Sequence, residues 1–456
     1  MKRARHAVAS YAVAGRAAVL ALLPLAACTV GPNYRRPPAT PADVAPFRST
    51  EPGVSEAAPL PANWWQLYHD PVLADLVMQA LVANTDLRVA AANLQRARAV
   101  LREIATERLP TTELTGGATY GRGATATRGS IVTSGSGSDS NGGASGSTGT
   151  GGTGGTGGTG TGTTIGSTNT AEKIGPIYSG GFSVSYELDL FGRIARSLQA
   201  ARADLESTAA TEDAVRVTVA ADTTAAYLDV CTLGREIDVA TASFKLVEQS
   251  YDITRRQRDL GAADDYDLSR VGVLVEQTRA AIPQLEAQRQ SALYGLSVLT
   301  GRAPAEVPAA AVACRTAPRL SVPLPAGDGA ALLRRRPDLR EAERTLAGDV
   351  ARIGISTAEL YPTISLGGVV TAEGTGLKSA TSRAGLSFGV GPLISWFIPN
   401  IAVGRARVAE ARAQAASSLA RFDGTVLAAL KETEQALVTY SGELKRNSAL
   451  ADAQRN

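Results

Sequence analysis

Side chains that carry chemistry are scarce in this chain. Its 456 residues hold two histidines, His6 and His69, and three cysteines, Cys28, Cys231 and Cys314. No HExxH, no GxxxxGK and no Cys/His cluster at zinc spacing occurs, so the motifs of zinc hydrolases and P-loop enzymes are absent. The expectation is a protein that is not an enzyme and needs no cofactor or metal. Charge of one sign is lacking too. The 46 Lys and Arg against 43 Asp and Glu leave +3, and no basic stripe interleaved with aromatics marks a nucleic-acid surface. Beyond the amino-terminal segment no apolar run approaches the roughly 20 residues of a membrane-spanning helix. Such a chain crosses a bilayer only as β-strands.

What is present begins with an export signal. Lys2, Arg3 and Arg5 precede an apolar stretch centred on Val19, Leu20, Leu22 and Leu23, and small residues close it at Ala26-Ala27. Residues 1–27 therefore read as a signal peptide. Leu25-Ala26-Ala27-Cys28 resembles the bacterial lipobox, which makes Cys28 the candidate lipid-bearing residue. Thr29 follows it, where an aspartate would have suggested retention at the inner membrane.

Self-comparison shows an internal repeat. Asp86-Leu87-Arg88 recurs as Asp338-Leu339-Arg340. In the same ungapped register Ala90, Leu94, Ala99, Glu107, Pro110-Thr111 and Leu114 match Ala342, Leu346, Ala351, Glu359, Pro362-Thr363 and Leu366. The first copy starts on a helical seam: Leu73, Leu76, Ala80, Ala83, Leu87, Ala90, Leu94, Ala97, Leu101 and Ile104 alternate steps of three and four. The second copy carries Asp349 on the equivalent face. Pro110 and Pro362 end these helices.

The period then changes to two. Leu114, Gly116, Ala118 and Tyr120 alternate with Glu113, Thr115, Gly117 and Thr119, and Ile364, Leu366, Gly368 and Val370 repeat the pattern. Each run is answered by another: Phe182, Val184, Tyr186 and Leu188 in the first copy, Leu386, Phe388, Val390, Ile394 and Trp396 in the second. Runs of about ten residues with one apolar face suit transmembrane strands; a soluble hairpin packed on its own domain is the alternative. Between the first two runs lies a Gly/Ser/Thr tract, residues 129–170, which reads as a flexible loop.

Helical patterns resume at Gly192-Arg193 and at Gly404-Arg405. The first continues to Leu260, breaks at Gly261-Ala262-Ala263-Asp264, and returns through Leu268, Val271, Val275, Ile282, Leu285, Leu296 and Leu299, with Pro283 expected to bend it slightly. At about 1.5 Å per residue the descent from Arg193 spans roughly 100 Å, and the return covers about half. A long tube with a waist is the implied shape.

Taken together these residues resemble the TolC-like outer-membrane factors of efflux pumps, specifically the lipoprotein (NodT-type) branch. The likeness runs from Cys28 almost to the end of the chain. It is carried by Trp64-Trp65-Gln66-Leu67 with Asp70-Pro71, by Tyr186-Glu187-Leu188-Asp189-Leu190-Phe191-Gly192-Arg193, by Leu332 through Leu339, and by Leu360-Tyr361-Pro362.

The resemblance implies a mainly α fold with transmembrane β. Two helix–β-hairpin–helix repeats would form each subunit, and a homotrimer would close one twelve-stranded outer-membrane barrel continued by a periplasmic α-helical barrel. The implied parts are a lipid-anchored extended segment at the waist (28–71), repeat 1 (72–300), a linker (301–331) and repeat 2 (332–456). The implied function is a passive exit duct, with an inner-membrane pump supplying energy, a periplasmic adaptor bridging the two, and outer-membrane lipid around the barrel. Ser183, Ser185, Glu187 and Asp189 would face a wet lumen, and Phe182 and Val184 lipid. Arg256, Arg258, Leu260, Gly261, Ala262 and Asp264 match the family's adaptor-docking tip, although Asp264 stands where a serine is usual. Nothing in the residues names the exported compound.

Three further expectations follow. In an oxidising periplasm Cys231 and Cys314 should pair. Cys231 lies about 45 Å from the Gly261 turn at helical rise, and the return helix ends about 54 Å from it, shortly before Cys314; two unrelated buried thiols are the alternative. Second, repeat 2 stops before a return helix matching that of repeat 1, which would leave Leu427, Leu430 and Leu437 uncovered. A truncated copy is the reading this suggests. Third, a non-conducting structural lipoprotein and a surface adhesin with a Gly/Thr-rich stalk remain as other function classes.

Overall fold

The structure is a computed structural model that describes residues 29–38, 54–55, 61–122, 174–320, 323–325, 333–396, 398 and 401–455. The expected signal peptide, Cys28 and the Gly/Ser/Thr tract lie outside these residues, as do parts of the segments 28–71 and 301–331. In chain order the elements are β1 (Val54–Ser55), a 3-10 turn (Trp64–Tyr68), α1 (Pro71–Ala83), α2 (Thr85–Thr106), β2 (Thr111–Arg122) and β3 (Ile174–Leu188). Then come α3 (Arg193–Asp259), α4 (Asp265–Leu299), α5 (Ala309–Val312), β4 (Leu324–Pro325) and α6 (Pro337–Ala358). Last are β5 (Thr363–Gly374), α7 (Leu377–Ala380), β6 (Leu386–Ser395) and α8 (Ile401–Arg455).

The repeat is structural as well as sequential. Shifted by 252, the bounds of α2 and β2 become those of α6 and β5 residue for residue. Both helices end one turn before a proline, because Pro110 and Pro362 supply no donor and force the residue before them to be extended.

The described residues fall into two units. One is helical and draws on residues up to 109, 187–364 and 394 onward; the other is a sheet drawn from 110–186 and 365–393. In the helical unit α3 runs for 67 residues, about 100 Å at helical rise. It ends in a Schellman turn: Gly261 takes a φ of +77°, its N–H donates to Arg258 O, and the Ala262 N–H donates to Gln257 O. A residue without Cβ adopts that left-handed conformation at no steric cost. The Asp264 side chain then starts α4 by accepting the Asp267 N–H at 2.8 Å, which is how an N-cap satisfies a free donor. Helix α4 continues across Pro283.

The seam expected as one helix from Leu73 to Ile104 is two. Asn84 breaks it with ψ 136°, and its carbonyl accepts the Asp86 and Leu87 N–H groups. Its amide donates to Leu299 O at 3.1 Å. The side chain thus caps one helix and satisfies the end of another, and only the fold brings Leu299 there. Helix α8 likewise begins at Ile401 rather than Gly404. Gly404 sits inside the helix, where a Cβ would lie 2.5 Å from Leu360 Cδ2, so it serves close packing and not a helix start.

The core of the helical unit gathers Trp65, Leu73, Leu76, Val77, Ala220, Tyr227, Val230, Cys231, Leu293, Leu296 and Ala311. Residues 61–70 therefore lie beside the middle of α3. Val30 and Gly31 lie instead at its start, against Phe191 and Arg196.

Helix α6 packs between α3 and α8. Asp213–Arg340, Glu206–Arg344 and Asp204–Arg352 pair across α3 and α6 at 2.9, 3.0 and 2.6 Å. Asp349, 5 % exposed, accepts from Ser418 at 2.5 Å and from Arg352 at 2.8 Å. The second seam is polar there because α8 supplies matching donors. Of the three leucines expected uncovered on α8, Leu427 is 66 % exposed but Leu437 is buried and Leu430 half-buried.

In the sheet unit the order is β2-β3-β5-β6. β2 and β3 are antiparallel, with Leu114 opposite Phe182 and Thr115 opposite Gly181. β5 and β6 form a hairpin tied by Glu373 N–H to Gly385 O, Thr371 to Ser387, and Thr363 to Ser395.

Candidate functional site

The sheet has two unlike faces because a strand's side chains alternate and opposite residues of an antiparallel pair share a face. On one face Leu114, Gly116, Ala118 and Tyr120 stand opposite Phe182, Gly180, Tyr178 and Pro176. On the other, Glu113, Thr115 and Gly117 stand opposite Ser183, Gly181 and Ser179. The hairpin ties of β5 and β6 give the second half the same division, with Leu366, Val370, Phe388 and Val390 on one face and Thr363, Thr371, Ser387 and Ser395 on the other. Leu114 and Phe388 are each 83 % exposed. In water an apolar face of this extent is a liability; against lipid it is the favourable arrangement. Among the described residues no helix is long and apolar enough to cross a membrane.

The α3–α4 turn is the second site. Arg256, Leu260, Gly261, Ala262 and Asp264 are exposed there, Leu260 by 84 %, and Arg258 is half-buried. Arg258 bonds Asp259 at 2.6 Å and reaches Asp265 at 3.5 Å. Those two carboxylates raise its pKa above the ordinary guanidinium value, the Asp259 hydrogen bond most. Leu260 and Tyr266 leave apolar surface at the turn, rimmed by charge. Asp264 caps α4.

Cys231 and Cys314 are joined by a disulfide, with Cα atoms 4.9 Å apart. The linker after α5 is held there by two more devices. A Cβ on Gly234 would lie 2.8 Å from Cys314 O, so only glycine admits the approach. Arg289 of α4 donates to Val230 O, Val312 O and Cys314 O at 3.3, 2.6 and 3.2 Å. Burial, and then the nearby Arg315, hold its pKa below the usual value. Periodicity gave no sign of Arg289, since a polar residue bonding backbone carbonyls leaves no spacing pattern.

The junction at the start of α3 was legible only in part. Asp189 caps Ile194 and Ala195 N–H at 3.1 and 2.7 Å, Arg193 bonds Glu187 at 2.9 Å, and Phe191 stacks on Tyr361 at 4.6 Å. These are the residues of the Tyr186–Arg193 motif. Arg196, one turn on, was not singled out; a buried arginine interrupts a hydrophobic pattern and does not announce a partner.

Comparison with known proteins agrees with this geometry. The family described as "Outer membrane efflux protein" matches residues 76–302 and 330–456. Nodulation protein T of Rhizobium leguminosarum bv. trifolii is 27% identical over 428 residues, covering 93% of this chain and 82% of that protein. The cation efflux system protein CusC of Escherichia coli (strain K12) is 27% identical over 417 residues, covering 91% and 80%. Among solved structures the outer-membrane channel OprN is similar with a TM-score of 0.76 at 30% identity, covering 93% of this chain and 86% of that one.

Proposed function

This chain belongs to the outer membrane efflux protein family, whose members are transport proteins and not enzymes, and from that membership we propose that it is the exit duct of a tripartite efflux system. Three copies would contribute four strands each to one twelve-stranded barrel in the outer membrane, with repeat 1 (72–300) and repeat 2 (332–456) supplying the helices of a periplasmic conduit. Small molecules pass through it passively. An inner-membrane pump selects and drives them, and a periplasmic adaptor grips the Arg256–Asp264 turn. Cys28 carries the lipid that adds a second anchor to each subunit.

The observation that supports this reading most is the divided sheet. Its strands separate a face carrying Leu114, Phe182, Val370 and Phe388 from one on which Glu113, Thr115, Ser183, Thr371 and Ser387 stand, while among the described residues no helix is long and apolar enough to cross a membrane. Outer-membrane barrels need that separation, because lipid-facing and lumen-facing residues alternate along each strand.

The test uses both faces. An arginine on a lipid face costs about 2–4 kcal/mol at mid-bilayer. Phe388→Arg should therefore reduce the heat-modifiable trimer recovered from outer-membrane fractions. Ser183→Arg should leave trimer recovery intact and alter single-channel conductance in planar bilayers. Equal recovery of both variants with unchanged conductance would count against a barrel built on these strands.

A further inference from the structure

Arg196 is 3 % exposed, and its hydrogen-bond partners are neutral: Val30 O and Gly31 O at 3.1 Å each, and Gln199 Oε1 at 2.8 Å. Burying a guanidinium is costly unless its donors are satisfied, and here two of the three partners are consecutive carbonyls of the amino-terminal arm. The surroundings are cut to admit that arm. Val30 N–H donates to Phe191 O at 3.2 Å. A Cβ on Gly31 would lie 2.5 Å from Gly354 Cα, one on Gly192 would lie 2.7 Å from Thr29 Cγ2, and one on Gly354 would lie 2.8 Å from Arg196 Cδ. Two glycines and one buried arginine, Gly192 and Arg196 at the start of α3 and Gly354 on α6, thus make a notch for residues 29–31, and the arm's own Gly31 fits closely against it. Farther along, Tyr34 and Arg36 reach Glu343 of α6 at 3.3 Å each.

We propose that this notch is an anchor receptor: it docks the arm at the start of α3 and so fixes where the lipid-bearing residue enters the membrane. The proposal rests on the lipidation reading of Cys28 given above. By connectivity Cys28 lies within about 3.8 Å, one Cα step, of Thr29. Tethered only where β1 pairs with β4 at Val54–Ser55, an undocked arm of about twenty-five residues would let its end range over about 25–30 Å. The notch removes that freedom, so the acyl chains meet lipid at one point on each subunit, beside the residues where β3 passes into α3. The energetic reason for burying Arg196 is then explained: a rigid fork of donors reaches two adjacent carbonyls and Gln199 at once, whereas a lysine offers one nitrogen without that preset geometry.

The test uses the full-length chain in outer-membrane vesicles, labelled with a palmitate analogue that carries a photoreactive diazirine. In the wild type the acyl label should crosslink to a narrow set of residues near Leu188–Phe191 and Leu360–Tyr361, and the Val30 amide should exchange slowly. Arg196→Gln removes the fork, and Gly354→Val fills the notch from α6 without touching the arm or the export signal. Each should raise exchange at Val30–Tyr34 at least tenfold and spread the crosslinks, while amides of residues 215–230 keep their protection. Arg196→Lys should fall between. Unchanged exchange at Val30 in both variants overturns the docking, and an unchanged crosslink pattern overturns the anchor role. If the wild type takes up no more acyl label than Cys28→Ser, the lipidation reading itself has failed and the anchor role falls with it; the exchange data then decide the docking alone.

Discussion

The Tyr227 hydroxyl donates to Asp70 Oδ2 at 3.1 Å, and the other oxygen of the same carboxylate accepts the Val72 and Leu73 N–H groups that open α1. One carboxylate therefore pins the middle of the longest helix to the first turn of α1. Removing it leaves a buried phenol unsatisfied and uncaps α1, at roughly 1–3 and about 1 kcal/mol respectively. Asp70→Ala should lower the thermal midpoint clearly more than Tyr227→Phe, which loses a single hydrogen bond. Circular-dichroism melts of the two variants in detergent check the order; equal shifts would show that the cap carries no load.

A pH effect is expected at Tyr34. Its phenol is pushed up to about 12, first by burial and then by Glu343. In the unfolded chain it ionises near 10. A raised folded value means that the stabilisation is complete below about pH 10 and disappears as pH climbs towards 12. Urea midpoints of the wild type should fall more steeply across that window than those of Tyr34→Phe. Parallel curves would remove Tyr34 from the account.

The Cys231–Cys314 bond closes a separation of 83 residues. In the chain-entropy description a loop of that size stabilises by about 4.5 kcal/mol. Non-reducing mass spectrometry of periplasm-exported protein should find the linked peptides. Cys231→Ser, and Cys314→Ser independently, should lower the denaturant midpoint by a similar amount, since either breaks the same bond. Two free thiols in the digest would contradict the pairing.

At the α3–α4 turn a Cβ on Gly261 meets nothing within 4 Å, so the constraint is its positive φ alone. Gly261→Asn should be nearly neutral because asparagine tolerates that conformation, whereas Gly261→Val should cost about 1–2 kcal/mol. The readout is amide exchange over residues 255–268, expected to rise for valine only. Similar exchange in both would point to a packing role for the glycine.

Much of this molecule is determined within short stretches of sequence. The proline stops, the change of period from 3.6 to 2, the glycine turn at Gly261 and the 252-residue repeat all act between residues a few positions apart or by copying such a stretch, and backbone sterics enforce them wherever the chain lies. Both faces of the sheet follow from alternation alone. Tertiary structure decided what depends on residues far apart in sequence. It broke the first seam at Asn84, because the side chain found Leu299 across 215 positions. It buried Asp349 by bringing Ser418 to it, and it spent Arg196 on two carbonyls of the amino-terminal arm 165 and 166 positions away. A polar side chain has no period and no preferred partner until the backbone has folded. Its role is set by whichever donors and acceptors are then left buried and unpaired, and that is a property of the whole chain.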